Sequence, residues 1–286
     1  MKRLIPLLFL ISTYLGFSES STVTNPNTGV KASYKWDTGI ITIDITEKMD
    51  VAHHSFPEAR TLADENIRSN AANFFIDKIM NVYVDSASTV KSSVKKNQSL
   101  FADLLNIAQK GKHDFSYVSG NMDVLNTRYT FDIYGENGFA KFFIKHKKPY
   151  PAKRFLGFEP SRDFSGLVIY ARGDYPVIGK NGKDKLNPAL FPKIYDENMN
   201  LLIEREMCYP DSLKKWGIAA YTDSLDETPF LQRIGVFPLR VMARAVYGEN
   251  NTDVVISVDA GRKLLVRKRN IDLLRKGRIL IILDLN

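Results

Sequence analysis

The feature that most constrains this sequence is a break rather than a pattern. Between Lys145 and Pro160 it carries Pro149, Pro151 and Pro160 together with Lys145, Lys147, Lys148, Lys153 and Arg154. Each proline fixes its own backbone angle and removes a hydrogen-bond donor, so no sheet can run through this stretch. The chain therefore divides here. We expect an N-terminal lobe over 21–147, a linker over 148–163 and a C-terminal lobe over 164–286. At 286 residues, 44% of them hydrophobic and 25% charged, there is material for a sizeable core in an ordinary globular protein.

Before the break, Ile41, Ile43 and Ile45 alternate with Thr42, Asp44 and Thr46, the period of a strand with one buried face. A shorter strand is expected near Val30–Trp36. Ser55 and Pro57 then open a helix, with apolar residues recurring from Ala59 to Ile79 at three- and four-residue steps, and we expect it to reach about Val84. Asp85–Gln98 reads as an extension of that helix or a loop, and Ser99–Gln109 as a second helix stopped by Gly111. Phe115–Asp123, Arg128–Tyr134 and Phe139–Lys145 read as a meander of three strands. After the break come short strands: Gly166–Ala171, a hairpin around Asp196–Asn200, Trp216–Tyr221, Leu239–Tyr247, Asp253–Val258 and Arg278–Leu283, the last as a central strand. Asp259 is expected to cap a short helix carrying Leu264 and Leu265. The fold class is α+β in two lobes: strand, long helix and antiparallel meander first, then a mixed sheet with few short helices.

The first twenty residues differ from the rest. Met1-Lys2-Arg3 is followed by the apolar run Leu4–Phe17, and small residues stand at Gly16, Ser18 and Ser20. That is the layout of a secretory signal peptide, and the run falls short of the ~20 residues of a membrane span. One cysteine, Cys208, allows no internal disulfide, which for an exported protein suits a bacterial periplasm. We read Cys208 as a semi-buried thiol. The net charge of +8 favours anionic partners; for an exported chain those are envelope surfaces, not nucleic acid.

The chain carries only weak matches to catalytic patterns. His53 and His54 are adjacent, which on a strand sends them to opposite faces, and no cysteine or spaced histidine stands near them. No G-x-S-x-G is present, and the glycines Gly173, Gly179 and Gly182 lead into Asn187-Pro188 rather than into a helix. Asp196/Glu197 and Asp226/Glu227 fall in expected turns, where solvated carboxylates are the plain reading. The densest charge runs from Arg262 to Arg278: Arg262, Lys263, Arg267, Lys268, Arg269, Arg275 and Lys276, interleaved with Leu264, Leu265, Ile271, Leu273 and Leu274. Two readings stay open for it, a solvated helix face covering the last strand or a binding surface for anionic headgroups or an acidic partner.

G-L-V-I-Y-A-R-G (Gly166–Gly173), P-A-L-F-P-K-I-Y-D-E-N (Pro188–Asn198), A-R-A-V-Y-G (Ala243–Gly248), T-D-V-V-I-S-V-D-A (Thr252–Ala260) and R-I-L-I-I-L-D (Arg278–Asp284) follow one another in that order. The succession resembles bacterial exported proteins related to the lipoprotein-20 family, which includes outer-membrane lipoproteins and a flagellar basal-disk component. Two departures stand out: that family often has an acid where Tyr170 stands, and its lipid-bearing cysteine is missing. The resemblance implies an envelope protein at the periplasm or outer-membrane periphery, with a structural or assembly role and self-association or a larger assembly as partner. It implies no catalysis and no cofactor. The alternative is a periplasmic module that binds an anionic ligand or membrane surface through the basic C-terminal segment; a hydrolase using second-lobe carboxylates is a third, weaker reading.

Overall fold

The computed structural model describes residues 27–285; the expected signal peptide lies outside them. Strands β1 (Thr28–Lys35) and β2 (Ile40–Lys48) form an antiparallel pair. The long helix α1 (Phe56–Ile79) follows, then a small hairpin of β3 (Tyr83–Asp85) and β4 (Ser88–Thr89). Helices α2 (Val90–Lys96) and α3 (Ser99–Ala108) lead into β5 (Lys112–Val118) and β6 (Val124–Asp132). The sheet order is β1-β2-β6-β5, antiparallel throughout.

Ile41, Ile43 and Ile45 face inward as their alternation requires, opposite Phe131, Tyr129 and Thr127 of β6. Helix α1 crosses that face on a narrow row: Ala59, Ala63, Ile67, Ala71, Phe75 and Ile79 are buried at successive four-residue steps. Small alanines let the helix approach the sheet, and Phe75 then stacks on Phe131 at 4.0 Å between ring centroids. Ser55 does occupy the N-cap, but its side chain makes no capping bond; its carbonyl accepts the Ala59 amide at 2.8 Å.

Four expectations are corrected here. Helix α1 stops at Ile79, short of Val84, because Val82 and Val84 are buried as hairpin residues and the Asp85 carboxylate accepts from the Ala87 amide and the Ser88 hydroxyl to close the turn. Asp85–Gln98 is accordingly that turn plus α2, whose Thr89 and Ser92 cap each other reciprocally. The first two meander strands begin three and four residues earlier than expected and end five and two residues earlier, since Ser119–Asp123 makes the turn, with Met122 at φ 60°. Phe139–Phe143 is a 3₁₀ turn rather than a strand, burying Phe139, Ala140 and Phe143 at helical spacing.

In the second lobe, β7 (Leu167–Tyr170) is followed by the small pair β8 (Tyr175–Pro176) and β9 (Lys183–Asp184). Next come β10 (Ile194–Asp196), β11 (Leu201–Ile203), α4 (Pro210–Trp216), β12 (Ala219–Thr222) and α5 (Leu231–Ile234). The chain ends with β13 (Leu239–Met242), β14 (Ala245–Tyr247), β15 (Asp253–Ile256), α6 (Val258–Leu265), α7 (Lys268–Arg275) and β16 (Ile279–Ile282). One sheet is all parallel, in the order β12-β16-β7-β13. The other is mixed, in the order β11-β10-β15-β14. Both inner strands of the parallel sheet are fully apolar over Leu167–Ile169 and Ile279–Ile282, as strands covered on both faces must be.

The run expected as a single strand over Leu239–Tyr247 is two strands in different sheets. The Ala243 amide donates to Tyr170 and the next amide, Arg244, donates to Val255, so the chain changes sheet within two residues. The strand expected over Trp216–Tyr221 begins only at Ala219, because α4 runs to Trp216 and Gly217 turns the chain at φ 72°. Ser257, not Asp259, caps α6.

The two lobes interlock. Backbone carbonyls of Tyr83 and Val84 on the β3–β4 hairpin accept the amides of Leu190 and Phe191, and the Ser86 carbonyl accepts Asn250. Trp36 meets Tyr221 edge-on at 5.7 Å, and one continuous apolar cluster spans both lobes. Among the described residues no helix is long and apolar enough to cross a membrane.

Candidate functional site

The seven basic residues singled out in the sequence lie on α6, α7 and the turns around them, but they do not form one free surface. Asp163 binds Arg267 at 2.7 Å and Arg269 at 3.1 Å, which holds its carboxyl below the usual aspartate range. Lys276 pairs with Asp272 at 2.6 Å. Arg275 donates to the carbonyls of Met207 and Tyr150 and covers the Tyr209 ring. Arg262 sits 5.4 Å above the Phe155 ring. Lys263 is half-buried, and Lys268 is exposed. Much of this charge thus fastens the 148–163 segment to the C-terminal lobe. That segment has no regular secondary structure, yet its Tyr150 and Phe155 amides donate to Glu206 and Leu265, and the Ser161 hydroxyl donates to Lys263.

The residues weighed for catalysis are accounted for locally. His53 contacts Asp50 at 2.8 Å and His54 contacts Glu58 at 3.2 Å, all on the surface. Cys208 is fully buried rather than semi-buried, and burial pushes its thiol far above the ordinary range. Asp196 and Glu227 are not solvated turn residues. Asp196 is buried and accepts from the Asn198 and Asn200 amides and the Asn200 side chain. Glu227 takes a bidentate pair from Arg240 at 2.9 and 2.7 Å and a hydrogen bond from the Tyr170 hydroxyl at 2.8 Å. Tyr170 thus has a polar role as donor to an acid from elsewhere in the chain. No group of three or more His, Cys, Asp or Glu among the described residues can hold a metal ion.

A groove of about 1230 Å³ lies in the first lobe, between α1, α3 and the inner face of β5 and β6. It exists because α1 covers β2 and β6 but not the edge strand β5, whose His113 and Ser116 line the groove. The His113 Nε2 lies 2.8 Å from the Ser116 hydroxyl, which also meets Thr127 at 2.9 Å. No carboxylate meets the other His113 nitrogen among the described residues, so the pair lacks the orienting group of a catalytic triad. Sequence reasoning missed this contact because a one-residue register break between His113 and Phe115 creates it.

One edge of the parallel sheet, β13, combines outward backbone groups with exposed apolar side chains. The Leu239 and Ala243 amides donate inward to Gly166 and Tyr170, so by the strand's period those of Arg240 and Met242 point away from the sheet. Around this edge one run of chain exposes Leu225 at 63%, Val236 at 65%, Phe237 at 67% and Met242 at 58%. Phe237 is held there by reciprocal bonds: the Ser165 amide donates to its carbonyl, and its own amide donates to the Ser165 hydroxyl. Arg240, which would otherwise put charge at the edge, is drawn sideways onto Glu227.

No curated protein matches the chain. Residues 27–136 match the family model described as Treponema pallidum Tp0624, N-terminal domain. Residues 166–285 match the model described as Treponema pallidum Tp0624, second domain. Neither description names the lipoprotein-20 family. In both lobes, and in the same order, the chain is similar to the N-terminal and second domains of Tp0624, which sets it with a bacterial protein family.

Proposed function

We propose that this protein is an exported, non-enzymatic component of the bacterial cell envelope that works by assembly, with a second copy of itself docked against the β13 edge. The single observation behind this reading is that edge: outward-facing amides flanked by the exposed Val236, Phe237 and Met242. Monomers usually protect a sheet edge with charge, and a strand left apolar invites pairing. A two-fold axis beside β13 sets the strand antiparallel to its copy, so the same patch serves both partners. The strand has four residues, so backbone bonds are few and the apolar side chains supply most of the buried area. The signal-peptide layout supports export. The resemblance to lipoprotein-20 proteins, with outer-membrane and flagellar basal-disk members, supports a place at the periplasm or outer-membrane periphery.

Size-exclusion chromatography with light scattering tests this. The protein is expected to form a dimer or larger assembly, and F237D/M242D to run as a monomer with an unchanged melting temperature. A wild-type protein that stays monomeric at high concentration refutes the reading, as does an assembly that F237D/M242D leaves intact.

A further inference from the structure

A second exposed apolar feature lies in the connection between the lobes. Leu156 is 88% exposed and Phe158 is 92% exposed, the two most exposed large apolar side chains among the described residues. They stand at the tip of a loop that is fastened on both sides. Before the tip, the Phe155 amide donates to the Leu265 carbonyl of α6 at 3.1 Å, and its ring packs on the core under the Arg262 guanidinium. After the tip, the Ser161 hydroxyl donates to Lys263 at 2.8 Å, the Asn270 side chain donates to the Arg162 carbonyl at 2.9 Å, and Asp163 binds Arg267 and Arg269. Gly157 lets the chain fold over its own anchor, since a Cβ there would lie 2.6 Å from the Phe155 ring. The two apolar side chains are therefore presented, not dangling.

The surroundings of the tip are basic. Lys153 and Arg154 precede it directly, both exposed, and neither pairs with a carboxylate among the described residues. Arg262 and Lys268 are exposed on the helices beneath. The nearby acids are Glu159 on the loop itself, Asp163, already outnumbered by the two arginines that hold it, and Asp196, which lines a hollow with Lys153, Arg154 and Arg262 but is buried and bonded to Asn198 and Asn200. An apolar point ringed by cations matches the layered chemistry of an anionic bilayer: headgroup phosphates outside, hydrocarbon beneath. A protein pocket for the same tip would also need acids facing these cations.

We infer that the 153–158 loop is a membrane-contact prong, in which Leu156 and Phe158 enter the headgroup–acyl boundary of an anionic phospholipid surface while Lys153, Arg154 and Arg262 meet its phosphates. The site is separate from the β13 edge, so the prong can fail while assembly holds, and the reverse. It also gives the basic C-terminal segment a defined part: α6 and α7 supply the platform and part of the charge.

The test uses vesicles of phosphatidylcholine alone and of phosphatidylcholine with phosphatidylglycerol. F158W is expected to shift its added emission to the blue with the anionic vesicles and not with the neutral ones, measured against the background of Trp36 and Trp216. In co-sedimentation, L156S/F158S is expected to bind the anionic vesicles about tenfold more weakly or worse. K153Q/R154Q is expected to lose affinity together with much of its salt sensitivity. Both sets lie on exposed side chains, and unchanged melting temperatures confirm that the variants fold. An F158W spectrum unmoved by anionic vesicles, or L156S/F158S binding as tightly as wild type, overturns the inference. So does a result in which L156S/F158S breaks a protein–protein complex while no form of the protein binds vesicles.

Discussion

At the scale of single residues, the buried Arg233 holds three backbone carbonyls at once. It is 8% exposed and donates from Nε to Gly277 at 2.8 Å, from Nη1 to Trp216 at 2.9 Å and from Nη2 to Gly217 at 3.2 Å. Burial lowers its pKa to about 10, so it stays charged near neutrality. The guanidinium fork ties the end of α4 to the turn before β16. R233M leaves three carbonyls without their donor and is expected to cost about 3 kcal/mol in urea denaturation. R233K keeps the charge but not the planar fork, and is expected to recover only part of that loss. A loss below about 1 kcal/mol for R233M contradicts this account. Glu227 makes a pH-dependent tie. The hydrogen bonds from Arg240, then the one from Tyr170, hold its carboxyl below the ordinary value of 4.5. A depressed folded-state pKa contributes stability that is complete above 4.5 and is lost as pH falls through the folded value. Arg240 is half exposed, so about 1 kcal/mol is at stake. The melting-temperature gap between wild type and E227Q should be widest near neutrality and close in acid. A gap that stays constant through that range shows that the ionised carboxylate contributes nothing.

At the scale of elements, what was legible in the sequence is what local periodicity alone determines. β2 is readable because Ile41, Ile43 and Ile45 alternate, α1 because its buried row repeats every four residues, and β16 because Ile279–Ile282 is apolar on both faces. What was not legible depends on partners far away in sequence. Phe139–Phe143 has strand composition, but three apolar residues at helical spacing meet Phe75 and the core, and the 3₁₀ turn buries all three. Tyr83–Asp85 is a strand because it pairs with Ser88–Thr89 and because the Leu190 and Phe191 amides bond to its carbonyls. The division at Ala243-Arg244 depends on β7 of one sheet and β15 of the other, both distant in sequence. The candidate sites follow the same rule. The charges of α6 and α7 were visible as letters, but their capture by Asp163, Asp272 and backbone carbonyls was not. The β13 edge is an edge only by virtue of the sheet order, and Leu156 and Phe158 stand out only once their neighbours are seen to be anchored.

At the scale of the whole molecule, the proline-rich break divides the sequence without dividing the core. The two family matches end and begin at residues 136 and 166, yet Trp36 packs on Tyr221, the Tyr134 hydroxyl donates to Leu190, and the Gly135 amide donates to Lys214 across that gap. Each lobe completes the burial of the other, so neither should unfold alone. The chain has two tryptophans, and they report separately: Trp36 follows β1 in the first lobe, and Trp216 ends α4 in the second. W216F leaves Trp36 as the fluorescent reporter, and W36F leaves Trp216. In each variant the fluorescence transition in urea is expected to coincide with loss of far-ultraviolet circular dichroism, because shared burial makes unfolding a single cooperative event. W36F keeps an aromatic ring against Tyr221 and so preserves most of the contact, whereas W36A removes it and should cost about 3–5 kcal/mol. Under a single transition, that loss moves the Trp216 signal as far as the circular dichroism, although Trp216 lies in the other lobe. Two separated midpoints in W216F or W36F, or a W36A variant in which Trp216 keeps its wild-type midpoint, would show instead that the lobes are thermodynamically independent bodies joined by a linker.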